Sequence, residues 1–139
     1  MNSDNFPLSM GLRLHNPLLI NRSSRKFQGL SQDQTSRLFE FESTPYGYRA
    51  AFILIREYMQ NGKFSLNDIL KSFSRDAQPF IASQVSSMSA IPEFINITWK
   101  DEETMVALVH SMSIIANGMK YLEYISEDEI RQGYHLAFG

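Results

Sequence analysis

The sequence predicts a mainly α-helical domain of about five helices, with a small β-hairpin near the N-terminus. Three observations carry this expectation. From Thr44 to Gln60, Ala51, Leu54, Ile55, Tyr58 and Met59 fall on one helical face, and Tyr48 and Phe52 add a second. From Asp101 to Ala116, Met105, Leu108, Val109, Met112 and Ile115 make an uninterrupted apolar stripe. Serines followed three residues later by an acid, Ser65 with Asp68 and Ser126 with Glu129, mark two further helix starts.

In chain order, residues 1–8 have mixed polarity and no periodicity, and are expected to form a mobile tail ahead of one domain over 9–139. Gly11 to Ile20 reads as a loop entering a strand, since Pro17 disfavours helix at Asn16. Phe39 and Phe41 alternate with Leu38, Glu40 and Glu42, which predicts a short strand with one aromatic face inward and completes the hairpin. Thr44 is the expected cap of the central helix, Pro45 its first position and Asn61-Gly62 its stop. Because that helix is apolar on two faces, it should be buried between neighbours. Ser65 opens a short helix with Ile69, Leu70 and Phe73 inward. A further amphipathic segment is expected over about residues 76–90, with Gln78-Pro79 in its first turn and Phe80, Ile81, Val85 and Met88 inward. Phe94 to Trp99 reads as an apolar loop packed under the helix that Asn117-Gly118 ends. Ile130, Tyr134 and Phe138 give the last helix its inner face.

Composition narrows the function classes. A chain of 139 residues suits a single domain able to bury roughly two thirds of its unfolded surface without metals or disulfides. The absence of cysteine removes disulfides, thiolate metal sites and cysteine nucleophiles. A net charge of −2 offers no general field for nucleic acid or an anionic membrane. No apolar run approaches the ~20 residues of a bilayer span, and no signal-peptide pattern is seen. A soluble protein is expected, without membrane insertion. His15, His110 and His135 are dispersed, and glycine-rich phosphate loops and an identifiable serine triad are missing, so no metal or cofactor is expected.

The order of motifs resembles a family. Met10-Gly11-Leu12-Arg13-Leu14-His15-Asn16-Pro17-Leu18-Leu19-Ile20, then Phe27-Gln28-Gly29, then Phe39-Glu40-Phe41 and Tyr46-Gly47-Tyr48-Arg49-Ala50 follow the pattern of small phage and prophage virion proteins with a lysozyme-like fold. The likeness runs from about Gly11 to Gly118. It implies a lysozyme-like helical domain that binds peptidoglycan glycan strands and cleaves between sugars. That chemistry needs a carboxylic acid in a partly apolar site to protonate the glycosidic oxygen. In the family the resemblance places this acid in a Glu-Asn-Gly motif ending the penultimate helix, and here the motif reads Ala116-Asn117-Gly118. The family's Pro-x-x-Glu-Asn-x-Thr segment is replaced by Ser74 to Phe80, and Leu14 and His15 stand where asparagines would precede Asn16.

Two functions of different class are therefore expected. One is a lysozyme-like domain without its general acid, serving as a glycan-binding or structural component of a phage or prophage particle, with glycan strands or phage structural proteins as partners. The other is an active glycan-strand hydrolase or lytic transglycosylase whose acid is Glu40 or Glu123. A third possibility is an interaction module that shares only the fold. By the same resemblance Asn16, Gln28, Tyr46, Tyr48, Arg49 and Asn117 are candidates for glycan contact. All but Gln28 also have a plain structural role: a turn at Asn16-Pro17, a helix end at Asn117-Gly118, core packing for the tyrosines, and a carbonyl or Glu40 as partner for Arg49.

Overall fold

The computed structural model describes residues 7–139, and these are mainly helical. The helices are α1 (Met10–Arg13), α2 (Thr44–Gln60), α3 (Leu66–Asp76), α4 (Ala82–Ser89), α5 (Glu102–Asn117) and α6 (Glu127–Phe138), with a 3-10 helix at Met119–Tyr124 between the last two. All five predicted helices are present. Two short ones, α1 and the 3-10 turn, carry too few apolar positions for periodicity to reveal them.

α2 is the central element. Tyr48, Ala50, Ala51, Phe52 and Ile55 have no exposed surface. Its cap is Ser43 rather than Thr44, and neither Ser43 nor any other side chain closes the first turn there; Pro45 needs no partner in that turn. Gly62, at φ +87°, follows Asn61 and turns the chain away. The closest packing on α2 comes from α6. A Cβ at Gly133 would sit 2.6 Å from the Cβ of Tyr48 and 2.9 Å from the Pro45 carbonyl, so only glycine allows this approach. Tyr134 and Phe138 then meet Phe52 edge-on, with centroids 5.5 and 6.1 Å away.

Around this pair, α3 is capped as predicted, Ser65 accepting from the Asp68 N–H at 3.2 Å, and it buries Leu66, Ile69, Leu70 and Phe73. α5 is capped by Asp101, which accepts from the Thr104 N–H, and it buries Met105, Leu108, Val109 and Met112 while Ile115 stays half-buried. Ser126 accepts from the Glu129 N–H to open α6.

The expected hairpin does not form as a ladder. Among the described residues the N-terminal region has two isolated antiparallel bridges, Asn21 with Leu38 and Leu30 with Phe41. Between the two segments the Phe39 N–H donates to the Ile20 carbonyl at 3.1 Å, and the Asn16 amide donates to the carbonyls of both Ile20 and Phe39, so a side chain takes the Phe39 carbonyl that a ladder would have paired with backbone. Leu38 is buried alongside Phe39 and Phe41, so the alternation fails there. Part of the expected extended segment is instead α1, with Ser9 accepting from the Leu12 N–H. Residues 1–6 of the expected mobile tail lie outside the described residues; Pro7 is held at its carbonyl by the Tyr121 hydroxyl at 2.7 Å.

α4 begins at Ala82 rather than near Asp76. Ala77 leaves the helical region (φ −143°, ψ −113°), and Gln78, preceding a proline, resists a helical conformation, so 77–81 bridges two helices. This short helix buries only Val85. Ile81 and Met88, expected inward, are 59% and 45% exposed, and Phe80 is half-buried against Phe73. Phe94 and Ile95 also face out, at 74% and 59% exposure. Their segment is tied to the loop before α3 by the Ile97 N–H on the Phe64 carbonyl and to the first turn of α3 by the Asn67 N–H on the Glu93 carbonyl, while Ile97 and Trp99 pack against the core.

Candidate functional site

The motifs of the N-terminal loop, the start of α2 and the end of α5 meet at one place. Asn117, in the last turn of α5, donates its amide to the Pro17 carbonyl at 2.9 Å and to the Ser113 carbonyl at 2.8 Å, and accepts from the Ser9 hydroxyl at 2.6 Å. One turn earlier, the Ser113 hydroxyl lies 2.9 Å from the Tyr48 hydroxyl of α2. Burial pushes the Tyr48 phenol well above its usual range, so it stays protonated. Gly47 sits under the N-terminal loop, where a Cβ would come 2.1 Å from the His15 carbonyl. Gly11 does the same beneath Asn117, with 2.7 Å left to its Oδ1. Short sequence motifs, distant in the chain, therefore build one interlocked joint.

Within this joint the predicted contact residues divide. Asn16 and Tyr48 are fully buried and Asn117 is 7% exposed. Asn16 donates to Ile20 and Phe39 and accepts from the Ile20 N–H, so all three polar side chains meet protein partners. They hold the loop to the helices. Gln28 is exposed. Tyr46 is half-buried against Gly29, whose Cβ position would fall 2.1 Å from the Tyr46 Cγ. Arg49 is half-buried, and its Nε points to the Leu136 carbonyl at 3.4 Å rather than to Glu40. Burial and then the neighbouring Arg56 charge lower its pKa.

Ala116 is half-buried beside Asn117, and its methyl has no proton to transfer. Glu40 is half-buried, with its backbone N–H and carbonyl both bound by the Gln34 amide at 2.9 and 2.8 Å. Glu123 lies exposed on the 3-10 helix. No hydrogen bond or ion pair joins either carboxylate side chain to the joint at Asn117 among the described residues.

A charged cluster that the sequence reading missed joins α5 to α6. Arg131 reaches Glu102 at 2.9 Å, Glu103 at 2.9 Å and Glu127 at 3.1 Å, while His135 lies 3.2 Å from Glu102. The spacing of Glu127 and Arg131, one helical turn, was the available signal. Beside it Glu103, His110, Glu127 and Arg131 border a depression of about 280 Å³ with Met88 and Ile114. The Arg131 guanidinium holds Glu103 below the usual carboxylate range. That is the reverse of what a general acid needs, so Glu103 acts here as a fixed anion. No group of three or more histidine or acidic side chains is placed to hold a metal among the described residues, and no helix there is long and apolar enough to cross a membrane.

Compared with known protein families and with curated proteins, the chain matches none.

Proposed function

We propose that this chain is a lysozyme-like domain without its general acid, acting as a peptidoglycan-glycan-binding or structural component of a phage or prophage particle. The observation that carries the reading is Ala116. It occupies the last turn of α5, next to an Asn117 that links the N-terminal loop to the helix end. The resemblance expects the proton donor at that position, and a methyl group stands there. Side-chain polarity supports the same reading, because Asn16, Tyr48 and Asn117 are spent on internal hydrogen bonds. Gln28, Tyr46 and Arg49 keep exposed surface and are the remaining contacts for a glycan or a neighbouring particle protein.

General acid catalysis typically contributes 10²–10⁴-fold, so a domain lacking the acid should release almost no soluble fragments from purified peptidoglycan. The test compares the wild type with Ala116→Glu, alongside sedimentation with intact sacculi. We expect an inert wild type and measurable release by the variant. Cleavage by the wild type overturns the reading in favour of an active hydrolase or lytic transglycosylase, and Glu40→Gln and Glu123→Gln then locate its acid. An inert protein that also fails to sediment belongs to the structural branch.

A further inference from the structure

The net charge of −2 conceals an uneven distribution. Residues 21–37 and 71–76 hold six cations, Arg22, Arg25, Lys26, Arg37, Lys71 and Arg75, against the two acids Asp33 and Asp76, whereas residues 101–103 and 127–129 are all acidic. The fold brings the cationic segments together. The bridge of Asn21 with Leu38 sets Arg22 opposite Arg37, the Arg22 N–H donating to the Arg37 carbonyl at 2.9 Å. Asn21 then fastens this pair to the end of α3, its backbone N–H on the Asp76 carbonyl at 2.7 Å and its side-chain amide on the Ala77 carbonyl at 3.1 Å. Arg75, in the last turn of α3, is one residue from that contact, and Lys26 extends the cationic surface along the loop.

Little in the protein neutralises these charges. Arg22, Lys26, Arg37, Lys71 and Arg75 are exposed and make no ion pair among the described residues. The Arg22 guanidinium donates to the Gln34 carbonyl at 2.5 Å, a neutral acceptor that leaves its charge unmatched. The neighbouring carboxylates are engaged elsewhere: both Glu57 oxygens meet Arg25 at 2.7 Å, and Asp76 accepts from the Tyr58 hydroxyl. Two of the placements work against folding, since like charges destabilise when they stand opposite across a strand pair, as Arg22 and Arg37 do, or one turn apart on a helix, as Lys71 and Arg75 do. Such local conflicts are expected where a surface serves binding. No exposed large apolar side chain falls in these segments. The surface therefore lacks the apolar core of a protein interface, the apolar face of a membrane anchor and an aromatic platform for unstacked bases.

We propose that the surface formed by Arg22, Lys26, Arg37 and Arg75 binds the phosphodiester backbone of double-stranded nucleic acid without reading its bases. Guanidinium groups match phosphate oxygens in charge and geometry, and a duplex presents about one phosphate charge per 1.7 Å of its axis. Neither the joint at Asn117 nor a glycan takes part.

The experiment follows the fluorescence anisotropy of a short labelled DNA duplex titrated with the full chain, from about 50 to about 200 mM salt. Four phosphate contacts imply a slope of about −3.6 in log affinity against log salt, which is a weakening of about a hundredfold across that range. Arg22→Gln, Arg37→Gln and Arg75→Gln should each weaken binding and reduce the slope by about 1, equally for duplexes of unrelated sequence. Arg75 lies on a helix surface, so its variant keeps the test valid if loss of Arg22 disturbs the loop. Lys63→Gln, exposed and outside these segments, should leave binding unchanged. Absence of binding at the lower salt, a slope near zero, or an equal loss with Lys63→Gln overturns the proposal. Tighter binding to an oligothymidine strand or to phosphatidylglycerol vesicles than to the duplex also overturns it. So does salt-sensitive self-association in place of duplex binding, which would assign the surface to the acidic segments of a second copy.

Discussion

Asn16 has no exposed surface, yet its amide closes three hydrogen bonds, donating to the Ile20 and Phe39 carbonyls and accepting from the Ile20 N–H at 3.0 Å. It thereby supplements the single backbone bond between residues 20 and 39, in which the Phe39 N–H donates to the Ile20 carbonyl at 3.1 Å. Alanine at this position would strand two buried backbone groups, the Phe39 carbonyl and the Ile20 N–H, each costing about 1–3 kcal/mol when unpaired, while the Ile20 carbonyl keeps the Phe39 N–H. Asn16→Ala should therefore lower stability by about 3 kcal/mol, read as a lower urea midpoint with an unchanged m value. A loss under 0.5 kcal/mol would mean that water replaces the amide, and the joint would be less closed than its geometry indicates. The Asn-Pro turn itself was legible in the sequence. The burial was not, because asparagine is a mostly exposed residue type, and only the fold reveals that its side chain is enclosed. Asn117 repeats the lesson: local chemistry marks a helix end, while its bond to Pro17, a hundred residues away in the chain, has no local signature.

Among the elements, legibility followed apolar periodicity. α2 and α5 carry long stripes and appeared at nearly their observed bounds, and the serine caps of α3 and α6 were readable from spacing alone. α4 was overextended because Phe80, Ile81 and Met88 suggested a face that the short helix does not bury, Val85 alone reaching the core. Arg25, in the basic stretch Arg22 to Lys26 ahead of Phe27, has a partner with no local signature either. Arg25 crosses to Glu57 on α2 through two bonds of 2.7 Å and lies 4.6 Å over the Phe27 ring, pinning an otherwise exposed loop to the central helix. Hydrogen bonding to Arg25 holds the Glu57 carboxyl below its ordinary pKa of 4.5. A depressed folded-state pKa means that this contribution is fully present above about pH 4.5 and is lost as pH falls through the lower folded value. Both side chains keep over a third of their surface exposed, so screening limits the pair to less than about 1 kcal/mol. Glu57→Gln should cost that amount at pH 7, and the gap to the wild type should close as unfolding is followed from pH 5 downward. A gap that persists unchanged at pH 3 would assign the effect to packing of the side-chain stem instead of its charge.

Across the whole molecule, the buried apolar cluster runs from Leu18 and Ile20 in the N-terminal loop through α2, α3 and α5 to Ile130 and Tyr134 in α6. Sequence periodicity could supply the helices of this core, but not the way the loop enters it, since residues 18–41 show no long repeat and depend on α2 and α5 for burial. If the loop were a separate satellite, it would melt ahead of the helices. Its side chains argue otherwise: Leu18, Phe39 and Phe41 are as inaccessible as Met112 on α5, and the joint at Asn117 bonds the loop to a helix end. One cooperative transition is the consequence. Leu18→Ala in the loop and Met112→Ala in α5 should each cost about 2–5 kcal/mol by cavity formation. For both, far-ultraviolet circular dichroism and Trp99 fluorescence should shift to the same new midpoint. A helix signal that stays at the wild-type midpoint in Leu18→Ala would separate the loop from the domain. The joint between motifs would then be an attachment to the helical core, and the loop could move without the helices that the proposed glycan contacts require.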